Sequence, residues 1–318
     1  SDGISVLLIS HKMAEVMRSD AVSVLRKGKL VGTVRTTETT RDELTSMMVG
    51  RRVSAPVRVD GEAVGRETVL AVRGLAHLRD ARRVLDGISF DVAKGEILGL
   101  AGVSGNGQDE LFECLCGLVA PGEGTVTLAG KPLQGLSVAE VAAEGVGYVP
   151  SDRFRDGLVA DLAVSENLIL GQHWQARWRN GPFLDGAALD ANARQAIETY
   201  SIAASGPDAP CRKLSGGNAQ KVILAREFAK ASKLLLCNQP TRGLDVGAIE
   251  FVHRELVRKR DEGCAVLLAS EELDDLFALC SRIGVMFRGR LLAILDARSA
   301  THEEVGRLMA GQESAVAA

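Results

Sequence analysis

The chain has 318 residues, 46% hydrophobic and 25% charged, with a formal net charge of -3. That length holds one large or two modest domains, and the near-neutral balance carries no footprint for nucleic acid. No apolar run approaches the roughly 18 residues that a membrane-spanning helix needs, and aromatics at 4% leave few platforms for stacking bases.

Residues 1–50 read as strand, helix, strand, strand, helix. Val6-Leu7-Leu8-Ile9 is a short apolar run ending at Ser10-His11. A helical pattern then places Met13, Val16 and Met17 on one face. Two strands flank a turn at Lys27-Gly28, and Thr40 caps a last helix, with Glu43 completing a capping box. The same layout returns near the other end. Gly263 to Glu271 lines up with Gly3 to His11, Arg288-Gly289-Arg290-Leu291 with Lys27-Gly28-Lys29-Leu30, and Leu308 to Gly311 with Met47 to Gly50. The chain therefore holds an internal repeat: two copies of a tail, one copy of everything else. The expected organisation is 1–50 as the tail of a truncated first domain, 51–67 as a polar linker, 68–312 as a second domain, and 313–318 as a terminal tail. Residues 1–50 would then form a partial lobe, with Val6, Leu8, Met13 and Val16 poorly buried.

Strand-rich segments follow the linker, at Val69 to Val72 and Val84 to Val92. The apolar run Ile97 to Ala101 feeds the loop Gly102-Val103-Ser104-Gly105-Asn106-Gly107. Its glycine spacing is that of a phosphate-binding loop, G-x-x-x-x-G, which wraps phosphate in backbone N–H groups. That pattern next demands Lys, then Ser or Thr. Here Gln108, Asp109 and Glu110 stand instead. A carboxylate in the first turn satisfies the helix dipole and repels phosphate. By itself the loop reads equally as a Gly-rich strand-to-helix turn.

Residues 161–210 carry helical periodicity around Asn167 to Leu170 and Ala188 to Tyr200, before a loop at Gly206 to Pro210. Leu214-Ser215-Gly216-Gly217-Asn218-Ala219-Gln220-Lys221 then reads as a turn opening a helix. Ser215 is a good N-cap, and Gly216 and Gly217 let backbone N–H groups approach an anion. A Gly-Gly helix start without a ligand is the plain alternative. The apolar run Leu234 to Cys237 leads into Asn238-Gln239-Pro240-Thr241-Arg242-Gly243-Leu244-Asp245. Arg282 and Arg288 read as solvated charge. Six cysteines without a CxxC pair read as reduced core residues.

Taken together, the Gly102–Gly107 loop, the Ser215–Lys221 stretch and the 234–245 run resemble the ATP-binding cassette (ABC) family. The likeness covers nearly the whole chain, nearest to the tandem ATP-binding subunits of bacterial ribose-type importers and their nucleoside branch. It implies an α/β fold: a P-loop NTPase nucleotide-binding domain with a RecA-like core, a helical subdomain and an N-terminal antiparallel β-region.

In family terms Gly102, Ser104, Gly105, Asn106, Gly107, Gln108 and Asp109 form a degenerate Walker A loop. Ser215, Gly216, Gly217, Asn218 and Gln220 belong to the signature. Asn238 and Gln239 stand where Walker B has Asp and Glu, and Asp245 ends the D-loop. Through the repeat, His11 matches the family's switch histidine, and Glu271 replaces it in the second copy. The adenine-stacking aromatic is missing, with Arg79 about there, and Val149-Pro150-Ser151-Asp152-Arg153 lacks the glutamine of the Q-loop.

The resemblance implies an asymmetric pair. This domain lends its signature to an ATP and Mg²⁺ site whose Walker motifs lie in an upstream ABC domain, while its own site binds weakly. The implied partners are that domain, membrane permease subunits and, indirectly, an extracytoplasmic solute-binding protein, with no nucleic acid. The implied place is the cytoplasmic face of the bacterial inner membrane. Asn238-Gln239 leans towards nucleosides over sugars. Two competing readings are a soluble ABC ATPase unlinked to transport and an inactive regulatory fragment. A short linker and the lack of CxxC count against the first.

Overall fold

The computed structural model describes residues 4–10, 13–26, 28–50 and 67–312. Helix α1 (Met13–Val16) leads to the hairpin of β1 (Ala21–Arg26) and β2 (Lys29–Arg35), then to α2 (Arg41–Val49). Strands β3 (Thr68–Arg79), β4 (Arg82–Ala93) and β5 (Ile97–Ala101) precede α3 (Gln108–Leu115). Then come β6 (Glu123–Leu128), β7 (Lys131–Pro132), α4 (Val138–Ala143) and β8 (Val146–Val149). An arm follows, with α5 (Val164–Leu168), the short hairpin β9 (Arg179–Asn180) and β10 (Phe183–Leu184), and α6 (Gly186–Thr199). The chain returns through α7 (Gly216–Lys230), β11 (Leu234–Asn238), α8 (Val246–Asp261), β12 (Ala265–Ser270) and α9 (Leu273–Leu279). It closes with β13 (Arg282–Phe287), β14 (Arg290–Asp296) and α10 (His302–Met309).

Six strands form the central sheet in the order β14-β13-β5-β12-β11-β8, parallel except for the edge strand β14. Strands β5, β11 and β12 are buried along their whole length, as continuous apolar runs in a doubly covered sheet require. Alternate residues serve opposite faces. Leu98, Leu100, Leu234, Leu236 and Leu267 pack with Val72, Phe90 and Phe112 of the antiparallel sheet β4-β3-β6-β7 and of α3. Ile97, Leu235, Val266 and Leu268 pack with Ile223, Val252, Leu256 and Leu276 of α7, α8 and α9. Because β5, β11 and β12 run parallel, their C-terminal ends deliver residues 102, 239 and 271 to one edge of the sheet.

The internal repeat is legible in three dimensions. In the first hairpin Val24 pairs with Gly32 and Leu25 with Leu30 across a bulge. In the second, Val285 pairs with Ala293 and Met286 with Leu291 across the same bulge. Thr40 accepts from the Glu43 N–H at 3.2 Å and Thr301 from the Glu304 N–H at 3.1 Å. Each helix is followed by a left-handed glycine, Gly50 and Gly311.

The expected strand at Val6 to Ile9 does not form. These residues make no ladder, and Val6, Leu7 and Ile9 are 83%, 94% and 94% exposed. The reason is context: the matching strand β12 is held between β5 and β11, and no described strand flanks residues 6–9. Leu8 is likewise exposed, while Met13 and Val16 are part-buried. Val24 and Leu44 are buried within the small lobe, whose helix α2 lies against α8. The linker falls almost wholly, and the terminal tail wholly, outside the described residues.

All six cysteines are buried; burial pushes the Cys116 thiol up to about 12, leaving it inert. Arg282 departs from the sequence reading. It is a structural partner rather than solvated charge, donating to buried Glu96 at 2.8 and 3.1 Å and to the Asp91 carbonyl at 2.8 Å. Glu96 also accepts from the Ala93 N–H at 2.8 Å. Arg282→Ala strands that carboxylate, so a loss of about 3 kcal/mol in urea unfolding is expected; a change no larger than that of an exposed Arg288→Ala would contradict this.

Candidate nucleotide-binding surface

Strand β5 ends at Ala101, and Gly102 to Gly107 turn the chain into α3, with Gly105 and Gly107 at φ 85° and 102°. A side chain at Gly107 would press on the Val84 carbonyl, 2.8 Å away, so the loop needs glycine there. Asn106 is buried and ties the loop to the turn between β13 and β14: its Oδ1 accepts from the Arg288 N–H at 3.0 Å, and its carbonyl from the Gly289 N–H at 2.9 Å.

Where a lysine would reach for phosphate, Gln108 is buried and its amide turns back to the Val103 carbonyl at 3.4 Å. Asp109 accepts from the Asn238 side-chain amide at 2.5 Å and from Ser151 at 3.4 Å. Ser104 donates to Glu271, and the Glu271 N–H donates to the Gln239 side-chain oxygen at 3.2 Å. Gln239 itself sits at φ 52°, a conformation few non-glycine residues adopt. This group thus holds two hydrogen-bonded sets, Ser104–Glu271–Gln239 and Ser151–Asp109–Asn238. Glu110 and Glu113 add charge to the first two turns of α3, and Arg79 bridges both, the Glu110 contact at 3.0 Å. Burial pulls the Arg79 pKa down, but Glu113 and Glu110 outweigh it and raise it overall. Arg79 is therefore committed to carboxylates and presents no free stacking plane.

The signature residues share no hydrogen bond with this group among the described residues. Ser215 caps α7, accepting from the Asn218 side-chain amide at 2.8 Å and its N–H at 3.4 Å. Asn218 accepts in turn from the Ala203 N–H at 2.8 Å. Ideal β-carbons at Gly216 and Gly217 would lie 2.7 Å from the Arg153 guanidinium and 3.2 Å from the Ala248 methyl. Gln220 is buried, and its amide nitrogen has no hydrogen-bond partner among the described residues. Asp245 caps α8, accepting from the Ala248 N–H at 2.9 Å.

Sequence reasoning passed over Arg153, which donates to the Arg242 carbonyl. Burial lowers its pKa, against which Asp152 works. Its only advance signal was its place in the Q-loop region. His11 lies outside the described residues. Chemically, the surface has two unlike ends: an acidic P-loop end closed on itself, and a helix-N-terminal end where glycines lie against a guanidinium and a methyl.

Residues 85–242 match the family described as "ABC transporter". The chain is 39% identical over 313 residues to the nucleoside import ATP-binding protein NupA of Lactococcus lactis, covering 98% of this chain and 62% of that protein. It is 42% identical over 294 residues to the guanosine import ATP-binding protein NupO of Bacillus subtilis, covering 92% and 57%. It is 39% identical over 320 residues to the glucose import ATP-binding protein TsgD13 of Haloferax volcanii, covering 99% and 58%. The chain thus spans about three fifths of the length of these relatives. Among solved structures, the ATP-binding cassette MJ0796 bound to ADP and Pi superposes with a TM-score of 0.62 at 19% identity, covering 73% of this chain and all of that one. The ADP form of the cassette MJ1267 gives 0.60 at 20%, covering 76% and 95%. At such identities the likeness speaks for the fold alone. The parallel core, the antiparallel sheet and the helical arm are those of an ABC P-loop NTPase fold, and over residues 85–242 the chain is similar to the ABC transporter family.

Proposed function

We propose that this domain is the second, signature-lending half of a tandem importer subunit. It supplies the signature to an ATP and Mg²⁺ site whose Walker motifs belong to an upstream ABC domain, and His11 is that domain's switch histidine. Its own P-loop site does not turn over. The observation that carries the reading is the Asp109–Asn238 hydrogen bond at 2.5 Å. A Mg²⁺-nucleotide needs a lysine, a hydroxyl and a metal-balancing carboxylate at these places. Here a carboxylate and an amide pair with each other, and Glu271 replaces a donor with an acceptor. The chain's donor set does not fit the group on that side.

On the other side, Ser215 caps the start of α7 through the Asn218 N–H, and the Arg153 guanidinium stands beside Gly216. The repeated hairpin, with one register and one bulge position, supports descent from two tandem domains. The relatives' names favour nucleosides or simple sugars as cargo, membrane permease subunits as partners and an extracytoplasmic binding protein beyond them. Among the described residues no helix is long and apolar enough to cross a membrane, which suits a subunit held peripherally at the cytoplasmic face of the inner membrane. A single-turnover assay on the full-length subunit tests the stoichiometry. One ATP hydrolysed per polypeptide is expected; two would overturn the asymmetry.

A further inference from the structure

The loop from Gln239 to Asp245 is pinned at several points. The Gln239 N–H donates to the Ala269 carbonyl at 2.9 Å, the Arg242 N–H to the Gln239 carbonyl at 3.1 Å, and the Leu244 N–H to the Thr241 carbonyl at 3.1 Å. Arg153 holds the Arg242 carbonyl from outside. One pin is of a different kind. Thr241 donates its hydroxyl to Asp275 on α9 at 2.6 Å, and the second oxygen of Asp275 meets His253 Nε2 on α8 at 2.9 Å. Thr241, His253 and Asp275 are 6%, 8% and 8% exposed. A carboxylate only accepts, so both bonds need donors: the hydroxyl and the Nε2–H. The three side chains close on one another, from two helices and the loop, and none reaches the P-loop.

We infer that Asp275, oriented by His253, is a positioning residue for this loop. Through Thr241 it sets where the loop meets the nucleotide across the composite site. The inference rests on the reading under Proposed function. Its logic is separable, because Ser215, the glycines and α7 owe nothing to Asp275. A loop displaced by a fraction of an ångström should slow hydrolysis while leaving the phosphate-binding N–H groups in place. Loss of the pin should therefore appear in kcat and not in KM.

The test is steady-state ATP hydrolysis by the full-length protein in its assembled transporter. Thr241→Val replaces a hydroxyl with a methyl of similar shape. It is expected to lower kcat about 10-fold, with KM for ATP within about twofold. Thr241→Ser, which keeps the donor, should recover most of that rate. Asp275→Asn should resemble Thr241→Val, and the double variant should be no slower than either, because both break one network. Thr241→Val at the parental kcat, a loss expressed in KM, or losses that multiply in the double variant would each overturn the inference. Should Asp275→Asn fail to fold, the Val and Ser pair still decides. Ser215→Arg run alongside separates the two readings. If it is inactive while Thr241→Val is normal, only this inference fails; if it is active, the composite-site reading fails.

Discussion

In the full-length protein, Ser215→Arg or Gly217→Asp should reduce ATP hydrolysis to background, while Gln239→Ala should leave it within about twofold. Neither signature change threatens the fold. Ser215→Arg removes an N-cap worth about 1 kcal/mol. Gly217→Asp puts a negative charge in the first turn of α7, which the helix dipole favours by about 0.3–1 kcal/mol. Its β-carbon would lie 3.2 Å from the Ala248 methyl, close enough to need a small adjustment. The favourable charge for the helix is the unfavourable one for phosphate, because both compete for the same N–H groups. Losing oxyanion-type stabilisation of this sort costs about 10²-fold or more. Gln239→Ala, in contrast, removes one hydrogen bond, to the Glu271 N–H at 3.2 Å, worth about 1 kcal/mol of stability. An amide is no base, so no proton-transfer step is lost. The measurement is hydrolysis by the assembled transporter, with expression and melting temperature checked. Equal damage from Gln239→Ala would make the closed site catalytic, and silent signature changes would end the asymmetric reading.

The isolated 318-residue chain should turn over no ATP above background, and millimolar Mg²⁺-ATP should not raise its melting temperature. A ligand at a hundred times its Kd stabilises by about 2.7 kcal/mol, so a competent site would announce itself. Here the P-loop presents Asp109 and Glu110 to the anion, and the groups that should grip metal and water grip each other. Several lost groups do not multiply simply, but any one removes most of the rate. Gln108→Lys with Asp109→Thr and Asn238→Asp should restore nucleotide binding before it restores turnover, since Glu271 still faces Ser104. ATP hydrolysis by the unaltered, purified chain at the rate of an ordinary cassette would refute the reading.

Much was legible from the sequence alone because it depends on near neighbours. The Thr40–Glu43 capping box, the Ser215 cap and the glycine spacing of 102–107 are short-range patterns, and each has the expected local geometry. The buried strands β5, β11 and β12 announced themselves as apolar runs. The repeat predicted two similar hairpins, and they share register and bulge because turn length and alternation set both. The strand expected at residues 6–9 failed for the complementary reason. An apolar run states a preference for burial, and only flanking strands can turn it into a ladder.

The tertiary structure alone decided who pairs with whom. Asp109 and Asn238 lie 129 positions apart, and Ser104 and Glu271 lie 167 apart. They meet because parallel strands in a definite order carry their C-terminal loops to one edge. The same holds for Arg282 on Glu96, for Arg153 on the Arg242 carbonyl, and for Thr241 with Asp275 and His253. Of these residues, Arg282 reads in sequence as solvated charge, and nothing in the local pattern around the others names their partners. For Glu96, Thr241, His253 and Asp275 the cause is desolvation: once the sheet and helices close, a buried donor or acceptor must find its counterpart within the protein, and strand order, not sequence spacing, determines which counterpart is in reach.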